Sequence, residues 1–175
     1  MANVNNPHGL RPLGRTLSGG FPTVGTYQKA SGDAQALYMF DAVSRIAGYV
    51  SGTSTPGTTL FTGVSLNAGL ASTLSDHVVM NSPDAMFEAQ CSDTSTLALM
   101  GYNANLTLNA PSVTAPGAGY TGISGHIVGT LVTTAAKDVH VHRLYSQPDN
   151  AYGANSRVEV SFNRHALTPA STLAA

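Results

Sequence analysis

The chain has no tryptophan and a single cysteine, and only 10% of its 175 residues are charged, against about 25% in ordinary soluble domains. Each scarcity excludes something. One thiol, Cys91, rules out an intrachain disulfide, so stability has to come from packing. Its position in the alternating run AMFEAQC predicts a small core residue. Lys and Arg total 8 and Asp and Glu 9, a formal net charge of −1, without a basic run or an acidic tail. That balance gives no electrostatic case for nucleic acid or an anionic membrane as partner. No apolar stretch approaches the roughly 20 residues that cross a bilayer. A basic n-region with an apolar h-region is also missing from the opening residues. A protein made and used in soluble form is expected.

What is present is turn punctuation. Ser31-Gly32-Asp33, Thr55-Pro56-Gly57, Ser82-Pro83-Asp84, Ala115-Pro116-Gly117 and Gln147-Pro148-Asp149-Asn150 cut the chain into short segments. Between such turns lie strand candidates at 36–43, 44–50, 59–66, 77–80, 85–91, 126–133, 138–145 and 157–165. In the last, Val158, Val160 and Phe162 alternate with Arg157, Glu159, Ser161 and Asn163. In 85–91, Ala85, Phe87, Ala89 and Cys91 alternate with Met86, Glu88 and Gln90, and Glu88 is expected to face solvent or a neighbour. Short strands at this spacing predict an all-β fold: a single antiparallel β-barrel, or a β-tulip or sandwich body, with little helix. The one helical candidate is TSTLALMG, where Thr94 or Thr96 would cap a short helical or 3-10 turn ending at Gly101.

Three parts are expected: an extended N-terminal arm over 1–25, a β-barrel domain over 26–166 with a long loop at 109–122, and a C-terminal tail over 167–175. The arm carries Pro7 and Pro12, which favour extended backbone, yet Leu10, Leu13, Leu17 and Phe21 are too apolar for a solvated tail. It has to lie on its own domain or on a partner.

Chemical motifs are few. GAGYTG at 117–122 matches G-x-G-x-x-G but is followed by strand-like ISGHIVG instead of a helix, so no nucleotide is expected there. GISGH at 122–126 lacks the G-x-S-x-G pattern of a nucleophile elbow. Asp84 and Glu88 would sit about 13 Å apart on a strand, too far for a working carboxylate pair. His140 and His142, at i and i+2, project from one face and could share a metal only with further ligands, for which His126 and His165 are the candidates. The default is two sheet-surface or interface histidines, with no metal and no cofactor. The Asn105-Leu106-Thr107 sequon has meaning only in a secreted eukaryotic protein. PDNAYGAN at 148–155 reads as a structured connection between strands, or as an interface loop presenting Asp149, Asn150 and Tyr152. No nucleophile, base and oxyanion donor assemble, so no enzyme activity is expected.

The opening MANVNNPHGLRPLGR, the central SPDAMFEAQ, the following GYNANL and the closing RLYSQPDNAYGANSRVEVSFNRHAL together resemble the capsid decoration, or cement, proteins of tailed bacteriophages, over most of the chain. The long 109–122 loop departs from that pattern. The resemblance implies a β-barrel or β-tulip body with an extended arm, bound to the outside of the mature phage head and made in the host cytoplasm. It also implies the major capsid protein and further copies of the chain, as homodimer or homotrimer, as partners. Leu10, Leu13, Leu17 and Phe21 would then fill pockets on the shell while Arg11 and Arg15 pair with its carboxylates. A tail- or head-exposed barrel that recognises host-surface carbohydrate is the alternative, with the tyrosines as stacking groups.

Overall fold

Short alternating segments bounded by Gly, Pro and Asp favour pleated ribbons joined by tight turns. The computed structural model describes residues 3–52, 55, 57–108 and 122–167, and among them it has twelve strands and one 3-10 turn. The strands are β1 (Arg11–Thr16), β2 (Val24–Lys29), β3 (Ala42–Ile46), β4 (Tyr49–Ser51), β5 (Phe61–Ser65) and β6 (Ser75–Met80). Then come β7 (Ala85–Gln90), β8 (Asn103–Ala104), β9 (Leu106–Thr107), β10 (Ile127–Val128), β11 (Val139–Leu144) and β12 (Arg157–Phe162). Strands β2-β4-β3-β5-β6 close into a barrel, and β1-β7-β12-β11-β8 form an open five-stranded sheet. A two-stranded ladder of β9 and β10 completes the set. The all-β class with a closed barrel is as expected, and the body resolves into two units, barrel and sheet.

The main core lies between these units. Phe61 of the barrel stacks on Phe162 of the sheet at 5.2 Å, and Phe87 meets Phe162 edge-on at 5.5 Å, geometries that aromatic rings favour. Ala42, Val64 and Met80 from the barrel join Ala85, Ala89, Val139, Val141, Val158 and Val160 from the sheet in one buried cluster. Cys91 is buried in the same cluster, as expected, and loss of solvation pushes its thiol up to about 11. A second, smaller cluster of Leu37, Val43, Val50 and Val79 sits apart. Lys29 and His77 on the neighbouring β2 and β6 are also fully buried: Lys29 Nζ donates to the Asp33 carbonyl at 3.0 Å, and the His77 ring lies between Ser65 Oγ (3.0 Å) and Ser75 Oγ (3.1 Å).

Several expected boundaries move for physical reasons. The segment 44–50 is two strands, because Ala47 (φ 48°) and Gly48 (φ 91°) form a two-residue hairpin turn with positive φ at both positions. Within 126–133 only Ile127–Val128 pair as a ladder strand, with Thr107 and Leu106. Leu97–Leu99 is a single 3-10 turn, and Thr96, in the cap position, makes no side-chain cap bond.

Of the two places expected for the extended arm over 1–25, its own domain or a partner, residues 11–16 take the first, forming β1 paired antiparallel with β7, and residues 24–29 form β2 of the barrel. Leu10 is wholly buried in the main core, and its amide donates to the Phe40 carbonyl at 3.0 Å. Gly9 permits this entry: its φ is +72°, and a side chain there would overlap Ser124 and the Phe40 carbonyl. An apolar Leu finds a dry site in its own domain, so it has no reason to wait for a partner. Most of the 109–122 loop and of the 167–175 tail lies outside the described residues.

Candidate functional site on the outer face of the five-stranded sheet

A sheet that is apolar on its core face should be polar and wet on the other. Here the second face is polar and largely dry. Strands β7 and β12 pair so that Glu88 and Glu159 are direct cross-strand neighbours, and they are 2% and 3% exposed. Like charges opposite one another destabilise a sheet unless they are neutralised. Glu88, expected to meet solvent or a neighbour, is covered instead because β7 is flanked on both sides and residues 3–8 lie across it.

Arginines supply the neutralisation. Arg15 Nη2 and Arg143 Nε both reach Glu159 Oε2, at 2.5 Å and 2.9 Å. Arg157 bridges Glu88 Oε1 at 3.6 Å and Asp149 Oδ1 at 2.5 Å. Arg11 lies opposite Glu88 in register, and its side chain makes no ion pair or hydrogen bond among the described residues. Planar guanidinium groups with five donors suit this task better than lysine would.

Residues 3–8 form a strap across the face. The Asn3 side chain donates to the Ala151 and Ala154 carbonyls at 2.8 and 2.9 Å and accepts from the Ala151 amide at 3.1 Å. The Asn6 amide donates to Gln90 Oε1 at 3.0 Å, and Gln90 Nε2 donates to Asn5 Oδ1 at 3.2 Å. His8 Nδ1 donates to the Asn6 carbonyl, which leaves Nε2 facing Glu88 Oε1 at 3.6 Å. That contact attracts only when the ring carries both protons. Strap and sheet enclose a cavity of about 730 Å³ lined by His8, Arg11, Glu88 and Arg157, with Met39, Phe40 and Ile123 among its apolar lining. Phe40 holds φ +75°, an uncommon conformation for a bulky residue. Its amide, bonded to Ser65 O, and its carbonyl, bonded to Leu10 N, fix it there. A shallower hollow of about 380 Å³ lies beside Arg15, Leu17, Met86, His142, Arg143 and Glu159.

His140 and His142 do project together, with ring centroids 4.6 Å apart. Their bonds go to Asn103 Oδ1 (3.0 Å) and Ser161 Oγ (2.8 Å). Burial lowers both pKa values, His142 to about 4, so both rings are neutral near pH 7. His126 pairs instead with the buried Asp41, Nε2 to Oδ1 at 3.4 Å, and His165 packs near Phe162. Among the described residues no three His, Cys, Asp or Glu side chains are grouped to hold a metal. Asp149 pairs with Arg157, and Asn150 ties the β11–β12 connection shut through Tyr145 O, Arg157 O and Arg157 N. Tyr152 is exposed on that connection. Leu13 is half-buried, whereas Leu17 and Phe21 are 53% and 91% exposed.

Sequence reasoning named Arg11 and Arg15 but missed Arg143, Arg157, Glu159 and the strap residues Asn3, Asn6 and His8. Alternation placed Arg157 with Glu159 and Glu88 with Gln90. What it lacked was the strand pairing that unites them. No protein-family model, no curated protein and no solved structure matches the chain.

Proposed function

We propose that this chain is a structural virion protein that binds the outer surface of a mature tailed-phage capsid and cements neighbouring major capsid subunits, acting as a homodimer or homotrimer without enzymatic activity or cofactor. The observation that carries the reading is the connection between β1 and β2. Leu17 and Phe21 stand exposed on it, with Val24 exposed where β2 begins, yet its backbone is anchored. The Leu17 amide donates to Asp84 O at 2.9 Å, Ser18 Oγ to Asp84 Oδ2 at 2.9 Å, and the Thr23 amide to Ser82 Oγ at 2.5 Å. A rigid apolar projection loses little entropy when a partner covers it. The resemblance to decoration proteins supplies the partner.

Strand addition at the β1 edge is a poor route to the shell. Pro12 lacks an amide donor, Gly14 has φ +69°, and the register with β7 shifts between Pro12 and Thr16. Binding through side chains is the better reading. Each bound copy stabilises the assembled shell by RT ln(1 + [L]/Kd), so many weak contacts add up.

The test is co-sedimentation of the full chain with expanded capsids and with unexpanded precursors. Preferential binding to expanded capsids that falls at least tenfold in the double variant L17A/F21A is expected. Absence of the protein from purified phage heads would sink the proposal. The carbohydrate reading finds less support. Tyr27 and Tyr49 stand on the adjacent barrel strands β2 and β4, Tyr27 under Arg45 at 5.7 Å, whereas Tyr152 stands on the β11–β12 connection. Immunogold signal over tails instead of heads would favour it.

A further inference from the structure

We infer that the outer face of the five-stranded sheet receives an extended acidic segment of a partner protein, one carboxylate seating at Arg11 and a second at Arg143 and Arg15. The inference deepens the shell-binding proposal and rests on it for the occupant, a loop of the major capsid protein. The chemistry rests on the side chains.

Four of the chain's six arginines, Arg11, Arg15, Arg143 and Arg157, occupy this one face. Facing them are the carboxylates of Glu88, Glu159 and Asp149. One guanidinium is therefore left over, in a chain whose formal net charge is −1. The surplus is localised. Arg11 has no partner among the described residues and stands at the 730 Å³ cavity. Arg15 and Arg143 converge on the same oxygen of Glu159 and line the second hollow. Each spends only part of its five-donor fork there, leaving N–H groups for another acceptor.

Spacing narrows the occupant. Arg11 and Arg15 are four residues apart on β1, about 13 Å along a regular strand and less across its irregular register. Carboxylates at positions i and i+4 of an extended segment match that separation. Each seat also has apolar lining, Met39, Phe40 and Ile123 at the first and Leu17 and Met86 at the second, for the methylenes of the two acidic side chains. A nucleic-acid backbone fits poorly, because Glu88 and Glu159 lie between the two cationic positions and would repel a continuous run of phosphates.

The experiment uses the full chain and the blocked peptide Glu-Ser-Gly-Ser-Glu, its Gln-for-Glu counterpart, and an oligothymidylate of similar charge, followed by NMR of the arginine Nε–H signals. The acidic peptide is expected to shift Arg11, Arg15 and Arg143 signals, and its affinity to fall about tenfold between roughly 0.02 M and 0.3 M NaCl. Arg11→Glu is expected to weaken binding about tenfold, Arg11→Gln, which adds no carboxylate opposite Glu88, to weaken it with the fold intact, and Arg143→Ala to weaken it by less. Equal binding of the Gln peptide, unchanged affinity in Arg11→Glu, or tighter binding of the oligonucleotide overturns the inference. Co-sedimentation separates it from the shell proposal. Arg11-dependent peptide binding by a protein that ignores expanded capsids keeps the acidic-segment site and removes the shell. Capsid binding untouched by Arg11→Glu does the reverse.

Discussion

The two faces of the central strands of the five-stranded sheet, β7 and β12, are both buried, by different means. On the core side Phe87, Val158, Val160 and Phe162 pack against the barrel and need no partners beyond their shape. On the outer side Glu88, Gln90, Glu159 and Ser161 are just as inaccessible, but each must be answered by a guanidinium, an amide or a ring nitrogen. Dispersion and burial tolerate small shifts of position, whereas hydrogen-bonded charges do not. The core side therefore sets stability, and the outer side fixes where residues 3–8 and the β11–β12 connection lie.

Acid is the harshest way to break that comparison, because it acts on both sides. His77, His126, His140, His142 and His165 all have pKa values lowered from 6.5, chiefly by burial. Above pH 6.5 they are neutral folded or unfolded and cost nothing. As pH falls below 6.5 the unfolded chain takes up protons that the folded one refuses, so stability drops, and for His142 continues to drop to about pH 4. Asp41 and Asp138, with raised pKa values, bind protons more readily when folded and oppose this loss at the acid end. Urea titrations from pH 7.5 to 4 should show His142 contributing a slope of up to about 1.4 kcal/mol per pH unit between pH 6.5 and about 4, with His77, His126, His140 and His165 adding to it in the same direction. A flat profile would contradict the burial of these histidines.

Phe87→Ala strikes the core side alone and should cost about 3–5 kcal/mol in urea unfolding. Arg157→Ala strikes the outer side by stranding Glu88, and about 3 kcal/mol is expected. Adding Glu88→Gln to that variant should return at least about 1 kcal/mol, since the stranded charge is then gone. No recovery would mean that Arg157 matters through packing instead of charge. Asn3→Ala should cost only about 1 kcal/mol, yet it should speed hydrogen exchange in residues 4–8 more than in β7. Smallest of all, Arg11→Ala should leave stability within about 0.5 kcal/mol.

Periodicity explains how much of this was legible. Val158, Val160 and Phe162 alternate with polar residues over a full strand, so β12 and its core face were readable, as was β7. Leu10 was not, because nothing local distinguishes an apolar residue that docks on its own core from one that waits for a partner. Strand β2, VGTYQK, went unseen because its outward positions, Val24, Thr26 and Gln28, are no more polar than its inward ones, Gly25, Tyr27 and Lys29. The hairpin at Ala47-Gly48 was hidden because alanine carries no turn signature.

By itself the sequence determined an all-β protein with no intrachain disulfide, cut by Gly, Pro and Asp into short strands with one alternating apolar set, because those properties follow from cysteine count, local backbone preference and side-chain period. Only the tertiary structure decided that Glu88 meets Glu159, that four arginines gather around them, and that residues 3–16 are folded into the body. Those facts depend on which strands pair and in what register, and pairing between β7 and β12 is set by burial of the shared core, some seventy residues apart along the chain.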